Sequence, residues 1–273
     1  MPKLYCEPTY GLANRLMMIV SAIRLAKKWD YDLVVVWKDD HCISCDYSAI
    51  FGDQYEHITD SPSIPPYPTD LYSRGLINPD RTKEDDLYIK SFHFVLALDD
   101  LKIPPAQITN ELKQSWNEII PSNQVLEKYQ HQSFDLGIHI RRPTIFDTPT
   151  NWTSPSDLFI SNISKNYIIN HNIKSIYLCS PSPETTSFLT DAFADLNLKV
   201  ITSISNSWGI DNPSLVQAYV DMLNLASCKH IIRHYLSTFS ALPSLVSADS
   251  EMIYTDEEQV SERQPLILSG AAL

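Results

Sequence analysis

Glycine is scarce, with six in 273 residues. None of them forms Gly-x-Gly-x-x-Gly, a Walker A loop or Gly-x-Ser-x-Gly. The sequence therefore carries no signature of dinucleotide binding, P-loop phosphate binding or a nucleophile elbow. His-Glu-x-x-His is also absent. No run of about 18 apolar residues occurs, and the start, Met1-Pro2-Lys3-Leu4-Tyr5, has no signal-peptide core. A cytoplasmic protein without a transmembrane segment is expected. Basic residues are few: 21 Lys+Arg stand against 33 Asp+Glu, for a net charge of −12. That disfavours nucleic acid as a main partner, because such binding draws on a basic face. It also requires any site for an anion to be locally basic. Five cysteines, an odd number, read as reduced thiols, so the sequons at Asn151-Trp152-Thr153 and Asn162-Ile163-Ser164 are taken as chance matches.

Apolar residues make up 44% and charged residues 20%, enough for one large or two medium domains with full cores. A strand, Lys3 to Glu7, leads through Thr9-Tyr10-Gly11 into a helix whose Leu12, Leu16, Ile19, Val20, Ile23 and Ala26 recur three and four apart. Leu33 to Trp37 reads as a strand covered on both sides. This β-α-β opening implies a right-handed crossover and a parallel pair. Prolines 62, 65, 66, 68 and 79 make residues 61–80 a stiff irregular loop. A strand from Leu87 to Phe92 and helices near 105–119 and 122–130 follow. From Phe134 the alternation is regular, with strands at 134–140, 175–179, 198–202, 230–233 and 252–255. Helices near 155–170, 183–194, 213–227 and 237–247 separate them. The expected architecture is α/β, with two Rossmann-like doubly wound domains over residues 1–130 and 131–273 and a ligand cleft between them.

Phe134-Asp135-Leu136-Gly137-Ile138-His139-Ile140-Arg141-Arg142 is the most informative segment. Alternating apolar residues describe a strand that stops at two arginines and Pro143. Guanidinium pairs at the carboxyl end of a strand in an open α/β sheet suit phosphate oxygens. They equally suit helix capping or surface ion pairs. Gly11-Leu12-Ala13-Asn14-Arg15-Leu16 sits at a strand-to-helix turn, where Asn14 and Arg15 could reach a phosphate or sugar; an ordinary helix start with Arg15 in solvent needs the same residues. Ser237-Thr238-Phe239-Ser240 opens a helix after a strand, which fits either phosphate donors or an N-cap. Asp221, in a mostly apolar helix, either accepts hydrogen bonds from a guanine edge or lies on the wet face.

His41-Cys42-Ile43-Ser44-Cys45 lacks a second ligand pair, so buried thiols are expected there rather than zinc. Asp30-Tyr31-Asp32 lies between a helix and the next strand and reads as a solvated turn. Asp39-Asp40 and Asp99-Asp100 read as surface turns.

Together these segments resemble the fucosyltransferase superfamily that includes nodulation-type α1,6-fucosyltransferases and protein O-fucosyltransferases. The resemblance covers roughly residues 3–52 and 134–250. It rests on Gly11 to Leu16 with Leu33 to Trp37, Cys42 or Cys45 and Phe51 beyond, on His139-Ile140-Arg141-Arg142, and on Asp221 and Ser237 to Ser240 in order. It implies a GT-B fold with GDP-fucose held mainly by the second domain and the acceptor side on the first. Arg141 would bind the β-phosphate, and Arg142 would support that loop or contact the donor. His139 and Asp221 would recognise guanine, and Ser237, Thr238, Phe239 and Ser240 would lie at the phosphates. Asn14 and Arg15 would contribute from the first domain.

Two positions depart from the family pattern. Cys179-Ser180-Pro181-Ser182 replaces a Thr-Asp, and the loop beyond the arginines offers Asp147 as the candidate base. The expectation is an inverting transfer of L-fucose from GDP-fucose to a glycan hydroxyl, with no metal and no other cofactor. Another donor (GDP-mannose or a UDP-sugar) and a non-catalytic nucleotide-sugar-binding protein are the alternatives. The loop with Tyr67 and Tyr72 is either an acceptor wall or an ordinary surface loop, and Trp152 either stacks on a sugar ring or is a partly buried indole.

Overall fold

The computed structural model describes residues 1–67, 76–77, 85–129, 131–142, 155–203, 211–235, 237–254 and 260–263. Asp147, Tyr72 and Trp152 lie outside them. The chain divides into two compact units, one built mainly on Met1–Leu126 and the other on Glu127–Gly209 and Val216–Leu266.

In the first unit, β1 (Lys3–Pro8) runs into α1 (Leu12–Trp29), which returns to β2 (Asp32–Val36). The two strands pair in parallel, Lys3 against Asp32 and Cys6 against Val35. Short α2 (Tyr47–Ile50) and β3 (Glu56–Ile58) follow, then β4 (Leu76–Ile77), β5 (Leu87–Ser91), β6 (Leu96–Ala97), α3 (Pro105–Glu118) and α4 (Asn123–Lys128). The main sheet has the order β3-β2-β1-β5, and β4 pairs only with β6. The apolar stripe of α1 is wide, with fourteen of its 18 residues buried, because the sheet covers one side and α3 the other. Lys27 and Lys28 in its last turn complement the helix dipole, and it ends on left-handed Asp30.

Burying that second side of α1 places Arg24 at 4% exposure. Its guanidinium grips Asp100 in a fork, NH1 at 2.6 Å and NH2 at 2.7 Å, while Nε meets Glu111 at 2.7 Å. Asp100 also accepts from Lys28 Nζ and, at 2.7 Å, from the Ala97 amide. Its exposure is 0%, so Asp100 is a buried ionic anchor and not the surface turn its sequence suggests. Hydropathy alone hides this, because a buried carboxylate is legible only once its partners are in place.

The second unit contains β7 (Phe134–His139), α5 (Asp157–Asn170), β8 (Ser175–Cys179), α6 (Pro183–Ala192), β9 (Lys199–Thr202), all but the first turn of α7 (Asn212–Ala226), β10 (Cys228–His234), α8 (Thr238–Ser247), β11 (Ser250–Tyr254) and β12 (Val260–Arg263). Its sheet has the order β12-β11-β10-β7-β8-β9. Every pair is parallel except β11 with β12. Leu136, Ile138 and Ile140 share a core with Ile160 and Tyr167 of α5 and Leu189 of α6. The alternate residues of β7 face α7 and α8, so helices cover both faces and the continuous apolar strands are accounted for. Strands and helices fall within a few residues of their expected places. Unanticipated are α2, β3, β4, β6 and the polar edge strand β12, all too short for periodicity to register.

Among the described residues no helix is long and apolar enough to cross a membrane. All five cysteines are unbridged.

Gly137 marks the tightest packing on β7. A Cβ there would lie 2.9 Å from Leu225 Cδ2 and 3.0 Å from Cys228 Sγ. Gly137→Ala is expected to lower stability by about 1–3 kcal/mol through overpacking. Adding Cys228→Ala should recover part of that loss, so urea unfolding of the single and double variants should show positive coupling.

Candidate functional site

The chain leaves β7 toward β8 and β9 on one side, then crosses back to lay β10 and β11 on the other. The helices after β7 and β10 therefore diverge to opposite faces of the sheet. The crevice they leave at the carboxyl ends of those strands is where open α/β sheets take ligands. Three groups of residues converge there: His139 to Arg142 at the end of β7, Arg233-His234 at the end of β10, and Ser237 to Ser240 opening α8.

His139 is the centre of this cluster. It is 0% exposed, its Nδ1 lies 2.8 Å from Ser240 Oγ and 3.3 Å from Ser237 Oγ, and its ring stacks on Phe239 at 5.1 Å. The Tyr254 hydroxyl donates to its carbonyl at 3.1 Å. Ser237 is the N-cap residue of α8 but makes no side-chain cap; its hydroxyl faces the imidazole instead. Burial, reinforced by the charges of Arg141, His234 and Arg233, lowers the His139 pKa from 6.5 to about 3. The ring is neutral at pH 7, in a region of positive potential that favours an anion within an otherwise acidic chain.

The two arginines of the strand end are unlike each other. Arg142 donates from NH1 to the Pro155 carbonyl at 2.8 Å and from Nε to Thr185 Oγ1 at 3.2 Å, and its NH2 is ion-paired with Asp157. Thr185 in turn donates to Asp157 at 3.0 Å. Arg142 thus ties the end of β7 to the starts of α5 and α6. Arg141 is half-buried immediately past the strand.

Arg233, buried at 7%, is held by Glu251 of β11, with Nε at 2.8 Å and NH2 at 3.4 Å. Its NH1 donates to the His234 carbonyl at 3.3 Å. Arg233, His234, Glu251 and Tyr254 were not foreseen. Arg-His closes β10 as Arg-Arg follows β7, but only the sheet order brings the two strand ends together.

Two predicted contacts turn inward. Asp221 is 0% exposed and accepts from Ser203 Oγ at 2.6 Å, Tyr177 OH at 2.7 Å, Gln217 Nε2 at 2.9 Å and Cys179 Sγ at 3.7 Å. It therefore lies neither on a wet face nor at the surface of the crevice. Burial raises its pKa, opposed by these donors. Its place is beneath the ends of β8 and β9, which it ties to α7, and reading guanine would require it to surrender an internal donor.

Arg15, 1% exposed, is likewise not in solvent. Its NH2 meets Asp40 at 3.0 Å, its Nε donates to the Tyr10 carbonyl at 2.9 Å, and its guanidinium lies 4.5 Å from the Trp37 ring centre. Asn14 is partly buried beside it.

Asp40 also accepts from the amides of Tyr10, Cys42 and Ile43, so it organises the turn after β2. Of the described residues, Asp40, His41 and Cys42 alone form a group that could hold a metal, and that carboxylate is committed to these donors. Tyr67 is anchored through its amide, which donates to the Tyr88 carbonyl at 2.6 Å.

No protein-family model matches the sequence, and no curated protein sequence matches it. The fold does have counterparts. It is similar to NodZ alpha-1,6-fucosyltransferase soaked with GDP-fucose (TM-score 0.62, 14% identity, covering 97% of this chain and 99% of that one). It is similar to a variant of Arabidopsis thaliana FUT1 in complex with GDP (TM-score 0.61, 14% identity, 93% and 71%). POFUT1 in complex with GDP-fucose matches with a TM-score of 0.51 at 11% identity, over 92% of this chain and 96% of that one. The chain has the fucosyltransferase-like GT-B fold.

A histidine whose folded pKa is depressed contributes stability that is complete above its unfolded value of 6.5 and is lost as pH falls toward about 3. Between those values the loss approaches about 1.4 kcal/mol per pH unit. Urea midpoints of wild type and His139→Gln between pH 7 and pH 4 should therefore converge as the pH drops.

Proposed function

We propose that this protein is a glycosyltransferase that moves L-fucose from GDP-fucose to a hydroxyl of a glycan, with inversion at the anomeric carbon. The observation that carries the reading is the gathering of His139, Arg141 and Ser237 to Ser240 at the switch point between β7 and β10. Arg141 binds the β-phosphate and offsets the charge that develops as GDP departs; such preorganised electrostatic stabilisation suits a leaving group of this kind. Ser237 to Ser240 and the first turn of α8 supply hydrogen-bond donors to the phosphates. Neutral His139, buried as deeply as Asp221, holds those serines in place from beneath. Arg142 and Arg233, each fixed by a carboxylate, keep the two strand ends in place. Asp221 supports the guanine side from beneath.

Asp147 is the proposed base that takes the proton of the acceptor hydroxyl. The proposed mechanism uses no metal: the Arg141 guanidinium and the donors of α8 together stabilise the charge of the departing diphosphate. The N-terminal unit is the proposed acceptor side, and five unbridged thiols fit a cytoplasmic location.

The fold likenesses include structures with GDP-fucose or GDP, which supports this donor over GDP-mannose or a UDP-sugar. Thermal shift with GDP in chelator-containing buffer tests the assignment. GDP is expected to raise the melting temperature of wild type and to lose most of that effect in Arg141→Ala, a charge-assisted phosphate contact being worth about 1.5–3 kcal/mol. Equal stabilisation of both proteins would overturn the role of Arg141. Faster hydrolysis of GDP-mannose or UDP-glucose than of GDP-fucose would overturn the donor.

A further inference from the structure

The N-terminal sheet has its own switch point, because β1 lies between β2 and β5 in the order β3-β2-β1-β5. A polar cluster fills it. Glu7, at the carboxyl end of β1, is 2% exposed. It accepts from Lys90 Nζ at 2.7 Å, Lys38 Nζ at 2.9 Å and Ser61 Oγ at 3.0 Å, and from the Tyr88 hydroxyl. Burial alone would raise its pKa, but Lys90, Tyr88 and Lys38 outweigh burial and hold it near 2. The two ammonium groups remain at the rim, with side-chain exposures of 32% for Lys38 and 51% for Lys90.

Three residues further on, Tyr10 adopts a left-handed backbone with φ 65°. The neighbouring glycine does not take that strain, since Gly11 has φ −63°, a value open to any residue. A non-glycine residue in this region costs about 1–2 kcal/mol, and such strain persists only where the surroundings over-determine it. Here they do. The Tyr10 amide donates to Asp40 at 3.1 Å and its carbonyl accepts from buried Arg15. The ring is nevertheless 44% exposed, with Phe92 at 4.8 Å and His41 at 5.8 Å, both edge-on. His93 packs against Phe92 at 3.8 Å. These rings follow β1, β2 and β5, on the same sheet edge as the Glu7 cluster.

We propose that Tyr10 and Phe92, flanked by Lys38, Ser61 and Lys90, form the acceptor subsite, which takes a sugar residue with its apolar face on the Tyr10 ring and its hydroxyls on the polar rim. The inference rests on the glycosyl-transfer reading and gives that reading its acceptor residues. An exposed aromatic ring packed on a half-buried one, beside a few convergent polar groups, has the composition of such sites.

The test is binding of labelled full-length protein to a glycan array, followed by titration of the best glycan. Tyr10→Asn tolerates the left-handed backbone but removes the ring. It should melt at or above the wild-type temperature, keep the shift induced by GDP, and weaken glycan binding roughly tenfold, the scale of one aromatic contact. Phe92→Ala should also weaken it, and Tyr10→Phe should bind nearly as wild type. Wild-type binding retained in both Tyr10→Asn and Phe92→Ala, or no glycan bound by wild type, overturns the proposal. Glycan binding lost in Tyr10→Asn, in a protein that GDP never stabilises, would keep the subsite and discard the transferase reading.

Discussion

Parallel pairing of β7 with β8 on one side and β10 on the other is the constraint on which the C-terminal unit turns. A strand paired on both edges and covered by helices on both faces must be apolar along its length. Leu136, Ile138 and Ile140 serve one face, and Gly137 lets α7 approach the other. Polar chemistry can enter only where the strand ends. Because the crossover reverses direction between β9 and β10, the helices following β7 and β10 part at that point. His139, Arg141 and the first turn of α8 meet there as a consequence of topology.

That placement solves an electrostatic problem. The chain carries a net charge of −12, so an anionic ligand needs a local reversal of potential. Two of the cations involved are structural: Arg142 is spent on Asp157 and Arg233 on Glu251. Their carboxylates hold the strand ends rigid at the cost of part of the field. His139 stays uncharged because burial and the neighbouring cations both oppose its protonation. The result is a preorganised set of donors with limited excess charge, which suits a departing diphosphate better than a fully neutralised ion pair.

The fold was legible in the sequence wherever period and length gave the signal. The 18-residue α1 and the alternation from Phe134 onward are clear, whereas two-residue β4 and β6 carry no period at all. At the candidate site, the placement of His139 at a strand end and of Ser237 to Ser240 at a helix start was legible, because strand ends and helix starts are positional statements. Asp221, Arg15 and Asp100 were not. A charged residue reads the same whether it faces water, a ligand or a buried partner, and only the three-dimensional donor set decides between them. Arg233 and His234 escaped for a different reason: they close a strand whose adjacency to β7 depends on the sheet order, which local pattern does not contain.

Both units place a polar cluster at the switch point of their own sheet, Glu7 in one and His139 in the other. One physical rule thus accounts for both. The carboxyl ends of β7 and β10 are the proposed diphosphate site, and a crystal structure of the protein with GDP is the decisive measurement. Phosphate oxygens are expected within hydrogen-bond distance, about 3 Å, of the Arg141 guanidinium and of donors from Ser237 to Ser240. A diphosphate seated elsewhere, with these groups untouched, would contradict it.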